Sequence, residues 1–461
     1  MKFKLPDTLL LLIAILFVFS ILTWIVPSGE FDREVINGKE LVVADSYKEV
    51  ASNPSNIFDF ILAPIKGFLS SAQIIVFIFL VAGSFGVINE TGAIEAGLQS
   101  VVIASQKNKA YKKLVIPLLM ILFSIAGATF GMSEEVLVFI LITLPLSFAL
   151  GYDSVVGVSI PFVGAGAGFA GAFLNPFTVG IAQGIAELAP FSGWEYRLVV
   201  WVILTTAAIL FVVVYANKIE KSPEKSPMFD IDKTSKYKNQ AQENITFASR
   251  HRAVIIIFLL GLVALVYGVN AWDWYINEIS ALFVCMAVIS ALVFRMNSGV
   301  AIDSFVKGAS EMIKVTFVIA IAKGILIIAS DGKIIDTILN AMASSVDGFP
   351  NAVSVQLMFG VQTFLNFFLP SGSGQAALTM PIMAPLSDLI EVSRQTAVLA
   401  FQLGDGLSNL IIPTSGVTMG VLTIANIPYE KWFKWMLPLF ILLSILAMLL
   451  LIPPVLFFSW N

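Results

Sequence analysis

Residues 114–150 read LVIPLLMILFSIAGATF GMSEE VLVFILITLPLSFAL, and whether this run crosses a bilayer once or folds back midway decides the topology of the chain. A spanning helix needs about 20 apolar residues, so the run is long enough for two passes. Its middle, Gly131-Met132-Ser133-Glu134-Glu135, is unfit for the lipid interior. Upstream, Lys107, Lys109, Lys112 and Lys113 mark a cytoplasmic face, and the lysine-rich stretch Asn217–Arg252 marks another. Three apolar segments lie between these marks: 114–150, 154–187 and 196–216. A first segment that dips in and returns to its own side leaves two crossings, and the parity closes. A single pass would put 217–252 outside, against its charge.

The rest of the composition agrees with a membrane protein. The chain has 461 residues, 58% hydrophobic and 13% charged, with mean hydropathy +0.90. Soluble domains carry about 45–50% apolar and about 25% charged residues. The long apolar runs suit helices and not the alternating strands of a β-barrel. Continuous runs predict helices near 8–27, 73–90, 196–216, 253–269, 276–294, 312–329 and 432–457. The stretch Thr8–Val26 reads as a retained first helix, and Lys2 and Lys4 place the N-terminus in the cytoplasm. The single cysteine, Cys285, excludes an internal disulfide. The lone His251, between Arg250 and Arg252, reads as a boundary residue. No His/Cys cluster is present for zinc or haem.

Two halves of the chain match at an offset of about 240 residues. Lys66-Gly67 stands opposite Lys307-Gly308, and Leu144-Pro145-Leu146-Ser147 opposite Ala384-Pro385-Leu386-Ser387. Phe177-Thr178 falls opposite Pro413-Thr414. An extra helix, 253–269, precedes the second half, so that half enters from the other side. The expectation is an all-α polytopic fold of two inverted repeats, with nine full crossings, two re-entrant hairpins and two broken helices. Its divisions are a first repeat 1–216 (hairpin 114–150, broken helix 154–187), a cytoplasmic linker 217–252, and 253–461, the extra helix plus second repeat (hairpin 351–391, broken helix 394–427). The linker reads as a solvated tether. Arms near 91–106 and 331–347 read as amphipathic braces. In such folds the substrate site forms at the repeat interface, from discontinuous helices.

Backbone broken at membrane depth is tolerated only in a protein interior or along a cavity. At the first tip, Ser133 reads as an N-cap with Glu134 and Glu135 in the first turn of the returning helix. Acids at that depth cost about 2.5–3.5 kcal/mol or more, too much for a dipole contact alone. The second tip, Pro370-Ser371-Gly372-Ser373-Gly374-Gln375, is neutral and offers backbone N–H groups and hydroxyls. The breaks bring Asn175 and Thr178 on one side, and Asp405, Asn409, Thr414 and Ser415 on the other. Asp405 reads either as a third midplane acid or as a structural partner of Lys323. The candidate substrate-binding set is therefore Ser133, Glu134, Glu135, Asn175, Thr178, Ser371, Ser373, Gly374, Gln375, Asp405, Asn409, Thr414 and Ser415, with no catalytic group and no metal set.

The strings GMSEE (131–135), GAGFAGAFLNPFTVGIAQGIA (166–186), LPSGSGQAALTMPIMAPL (369–386), QTAVLAFQLGDG (395–406) and IIPTSGVTMGVL (411–422) resemble the YfcC branch of the ion-transporter superfamily. That branch shares a family with Dcu-type C4-dicarboxylate carriers, and the resemblance covers nearly the whole chain. It implies a homodimer in the bacterial inner membrane, each protomer with a scaffold part and a transport part moving like an elevator. It also implies relatives of two kinds, arginine/ornithine antiporters and dicarboxylate carriers. Charge separates them: the midplane acids outnumber the cations, which favours exchange of a cationic amino acid. The alternative is a Na+- or H+-coupled carrier of C4-dicarboxylates or other carboxylates. No resident cofactor and no nucleic-acid partner is expected, only a small-molecule substrate and the lipid bilayer. An intramembrane enzyme would need a nucleophile with a base or a metal set, and Ser133 and Ser373 have no histidine or lysine near them in sequence.

Overall fold

The computed structural model describes residues 8–460 apart from 37–38, 44–45, 95, 98–108, 190, 236–247, 273, 275, 344–348 and 459. Helix dominates. The first series begins with α1 (Thr8–Ile25) and four short strands, β1 (Gly29–Glu30), β2 (Arg33–Ile36), β3 (Lys39–Val42) and β4 (Lys48–Glu49). β1 pairs with β4 and β2 with β3, both antiparallel. Then follow α2 (Ile57–Ser70), α3 (Ala72–Glu90), α4 (Lys109–Phe130), α5 (Val136–Ala149) and α6 (Ser154–Ala170). A π-helical turn, Pro176–Gly180, runs into α7 (Ile181–Ile185), and α8 (Trp194–Lys221) closes the series.

The second series is α9 (Ser249–Trp272), α10 (Ile276–Phe294), α11 (Ser298–Ser310), α12 (Ile313–Asp331), α13 (Ile335–Ala343) and α14 (Asn351–Phe368). It ends with α15 (Gly372–Leu389), α16 (Arg394–Ser408), α17 (Gly416–Ile424) and α18 (Tyr429–Leu450). The order of long and interrupted helices thus returns after about 240 residues. Packing is exchanged between the series: α2 lies on α12 and α11 on α3, while α1 lies on α12 and α10 on α3. Glycine permits the close approach that hydrocarbon surroundings reward with dispersion contacts. A Cβ on Gly67 would meet the Ala320 carbonyl oxygen at 1.9 Å, and one on Gly308 the Ala82 carbonyl oxygen at 2.4 Å. These are the two glycines that matched in the sequence. α9 has no counterpart in the exchange.

Among the described residues, five helical stretches are long and apolar enough to cross a bilayer: Ala72–Glu90, Lys112–Thr129, Trp194–Lys221, Ile276–Phe294 and Tyr429–Leu456. Lys112–Thr129 is the first arm of the expected hairpin, and the other four are expected crossings. At 1.5 Å per residue the 28 residues of α8 extend about 42 Å, the full depth of a membrane. This helix serves as a ruler. Lys112, at the start of α4, pairs with Glu220 near the end of α8 at 2.7 Å. The same ammonium lies 5.1 Å over the Tyr152 ring, just past α5. Both ends of the 109–149 hairpin therefore sit beside the C-terminal end of α8. At its other end, Tyr196 donates to the Leu450 carbonyl (2.6 Å) and Arg197 to Gln395 Oε1 (3.2 Å). Gln356 of α14 donates to the Met448 carbonyl (3.0 Å), and Arg394 grips Asp388 at the end of α15 (2.7 Å). The 351–389 hairpin opens at that opposite end.

Several features were not expected. α2 and α11 occupy stretches where the continuous apolar runs predict no helix. The strands of 29–49 dock on the α12–α13 turn: Arg33 makes two hydrogen bonds to Asp336 (2.9 and 2.8 Å), and Tyr47 bonds Thr337 (3.1 Å). The linker is no free tether at its start. α8 runs on to Lys221, and Asp232 Oδ2 accepts from the Ser154 amide (3.0 Å) while Ser226 donates to Asp153 Oδ2 (2.6 Å). The first amides of α6 have no partner within the helix, and this segment supplies an acceptor for one of them. Residues 236–247 of the linker, the 98–106 part of the first arm and 344–347 of the second lie outside the described residues. His251 stacks on Phe294 (5.6 Å) and accepts from the Ala248 amide (3.2 Å), a helix-start role.

Candidate functional site

Between its two arms the first hairpin turns at Gly131, whose φ of +71° is the left-handed region. A Cβ there would also lie 2.8 Å from the Asn175 side-chain amide, so only glycine fits. The chain then makes a short turn, and α5 begins at Val136 with Glu135 in the capping position. Ser133 is therefore not the cap. Instead its backbone amide donates to Glu135 Oε2 at 3.1 Å. The acids precede the helix and do not fill its first turn, which leaves Glu134 half-buried and Glu135 buried, 7% exposed.

The second tip is a capped helix start. Ser371 Oγ accepts from the Gly374 amide (3.4 Å), and the Gln375 amide donates to the Ser371 carbonyl (2.7 Å). Each tip faces a break. After α6, Asn175 Oδ1 accepts from the Phe177 amide (2.9 Å) and opens the π-helical turn. After α16, Asn366 reaches across from α14 and donates to the Asp405 carbonyl (3.0 Å), Ser408 Oγ (2.8 Å) and Asn409 Oδ1 (2.9 Å). Thr418 of α17 donates to the Asn409 carbonyl, so the second break is stitched from three elements.

The two tips and two breaks converge on one cavity of about 260 Å³. Of the candidates, Ser133, Glu134, Glu135, Thr178, Ser371, Ser373, Asn409, Thr414 and Ser415 line it. The hydroxyls of Thr178 and Thr414 are buried with no hydrogen-bond partner. Buried polar groups without partners are rare, and two of them on residues that line one cavity fit a ligand site.

Four candidates stand outside the wall. Asn175 is fully buried behind Gly131, with its Nδ2 unpartnered. Asp405 is fully buried behind Gly372, where a Cβ would come within 2.9 Å of Oδ2 and 2.5 Å of Thr178 Cγ2. Gln375 is buried in the hairpin's interior, where its Nε2 donates to Gln362 Oε1 (2.7 Å) and its own Oε1 has no partner. Gly374 faces a separate cavity beside the strands, lined also by Arg33 and Lys333, and its N–H is already used by Ser371.

Nor does Asp405 pair with Lys323. Asp405 Oδ1 accepts from Asn409 (3.2 Å), Oδ2 has no partner, and no ion pair joins the two residues. Lys323 belongs to the cavity wall instead, together with Phe162, Phe169, Phe177 and Trp274. A lone lysine in an apolar helix was the signal for it; the aromatic residues gave none, since they read as ordinary apolar positions. Outside the wall, Arg394 closes the outer end of the second hairpin with Asp388 and Glu187, and a hydrogen bond to Asp388 leads in raising its guanidinium pKa. No group of three or more metal-ligating side chains occurs among the described residues.

Residues 5–455 match the family model described as C4-dicarboxylate anaerobic carrier, DcuC. An Escherichia coli protein, named provisionally as the basic amino acid antiporter YfcC, is 35% identical over 94% of this chain and 93% of its own length. The solved YdaH transporter of Alcanivorax borkumensis covers 97% of this chain, with 98% of its own covered, at 16% identity and TM-score 0.42. MtrF of Neisseria gonorrhoeae covers 97%, with 95% of its own covered, at 16% identity and TM-score 0.43. The match over nearly the whole length and the identity to YfcC place the chain in the C4-dicarboxylate anaerobic carrier family, as a membrane transporter of the DcuC/YfcC type.

Proposed function

We propose that this transporter exchanges basic amino acids of the arginine or ornithine type across the bacterial inner membrane. The observation that carries the reading is the charge of the cavity: its wall holds Glu134 and Glu135 against one cation, Lys323. Two carboxylates attract a substrate with two positive groups, and the aromatic wall suits its aliphatic stem. Hydroxyls of Thr178, Thr414, Ser371 and Ser373 orient it, while Asn175, Asp405 and Gln375 brace the tips from behind. The name borne by the E. coli relative agrees with this choice.

The proposed mechanism is alternating access of the elevator type. Two inverted repeats, with divisions near 216 and 252, each contribute a re-entrant hairpin and a broken helix. The opposed openings of the hairpins along α8 and the exchanged packing of α1, α2, α10 and α11 support that arrangement. A homodimer and a cytoplasmic N-terminus belong to the same reading. Exchange is favoured over one-way transport because an empty cavity would carry unpaired carboxylates through low dielectric.

The description of the family model favours a second reading, Na+- or H+-coupled uptake of C4-dicarboxylates. Counterflow in proteoliposomes separates them. Loading with arginine or ornithine should drive uptake of the labelled basic amino acid; transport of succinate or fumarate and of no basic amino acid overturns the first reading.

A further inference from the structure

Lys323 sits in the interior of α12, eight residues before its end at Asp331. At 1.5 Å per residue that end is about 12 Å away, beyond the reach of a four-carbon stem, so the ammonium cannot snorkel out along the helix. Its neighbours Ala322 and Ile325 are buried. The acids around the end of α12 are already engaged: Asp331 pairs with Lys66 at 2.7 Å and Asp336 with Arg33 at 2.8 Å. Lys323 itself makes no ion pair among the described residues, yet it shares the cavity wall with Glu134 and Glu135. A charged group held at such depth without a partner marks a ligand position.

The fixed charges of the cavity are thus two carboxylates and one ammonium. A basic α-amino acid carries their mirror image, two cations and one carboxylate. A dicarboxylate offers a second anion with nothing to receive it, and an amine lacking the carboxylate leaves Lys323 unanswered. The second tip carries no charge to receive an anion, and its Gly374 lines a different cavity. Lysine, a compact charge with three rotatable donors, suits a carboxylate. We infer that Lys323 receives the substrate's α-carboxylate, and so makes the site selective for amino acids over the corresponding diamines. The assignment rests on the basic amino acid reading above.

Agmatine is arginine without its carboxylate, and the pair isolates the contact. Thermal-stability titrations of the purified full-length protein with L-arginine and with agmatine measure both affinities. The wild type should prefer arginine by about tenfold or more. Lys323→Gln should lose about ten- to a hundredfold of its arginine affinity while agmatine binds as well as before or better, which also shows that the variant is folded. Lys323→Arg should keep the preference. Equal weakening of both ligands, or an undiminished preference in Lys323→Gln and in a second variant, Lys323→Met, overturns the assignment and leaves the substrate reading standing. A wild type that binds succinate and neither arginine nor agmatine overturns both.

Discussion

The two hairpin tips hold matching places in the two series and share one cavity, yet they solve the problem of a bare turn in opposite ways. The first uses a left-handed glycine and turns a carboxylate back on its own backbone, Glu135 to the Ser133 amide. The second has no charge and starts a helix at once, capped by Ser371. Equivalent position therefore does not mean equivalent chemistry: one tip brings charge, the other brings donors and hydroxyls. A ligand held between them meets a polarised site, which a pair of identical tips would not provide.

The sharpest way to break this contrast is to neutralise one tip and trim the other. Replacing Glu134 and Glu135 together by Gln should cut basic amino acid affinity by roughly a hundredfold or more, as for loss of a buried charge partner. Replacing Ser371 and Ser373 by Ala should cut it by only a few fold, about the worth of neutral hydrogen bonds. Equilibrium binding on purified protein compares them, and equal losses would mean that the tips do not divide the work.

Backbone geometry gives the next test. Gly131→Ala forces a left-handed alanine against Asn175 and should cost about 1–3 kcal/mol of stability. Gly374→Ala, inside a helix and 3.0 Å from a movable serine hydroxyl, should change stability by less than about 1 kcal/mol. Thermal unfolding in detergent reads the difference. The narrowest contrast concerns the serines alone. Ser371→Ala removes a cap and should cost about 0.5–2 kcal/mol, whereas Ser133→Ala, which caps nothing, should stay within about 0.5 kcal/mol. A larger loss at Ser133 would show that its hydroxyl does more for the first tip than the backbone contact to Glu135 indicates.

Legibility in the sequence followed distance along the chain. The helices at 276–294 and 73–90 came out with their limits almost unchanged, because a predominantly apolar stretch of about twenty residues has one low-energy answer in lipid. α2 and α11, at 14 and 13 residues, are too short for that argument. The strands of 29–49 were invisible because their docking partners stand some three hundred residues later, at Lys333–Thr337. At the site, polar residues in apolar runs announced themselves, as Glu134 and Thr414 did. Which of them reach the cavity did not: Lys323, read as a midplane cation or a partner for Asp405, lines the wall, and Asp405, read as a ligand acid or that partner, lies behind Gly372.

What the amino-acid sequence determined alone was the solvent, the interrupted segments and the match between halves, since each follows from the local cost of placing polar groups or broken backbone in hydrocarbon. Tertiary structure decided which faces turn inward. A side chain lines the cavity or hides behind it according to how α6, α12 and α16 pack, and that packing joins residues hundreds of positions apart, such as Gly67 with Ala320 and Gly406 with Ala170. No local pattern carries that information, because a buried residue and a ligand-facing one present the same chemistry until their neighbours are in place.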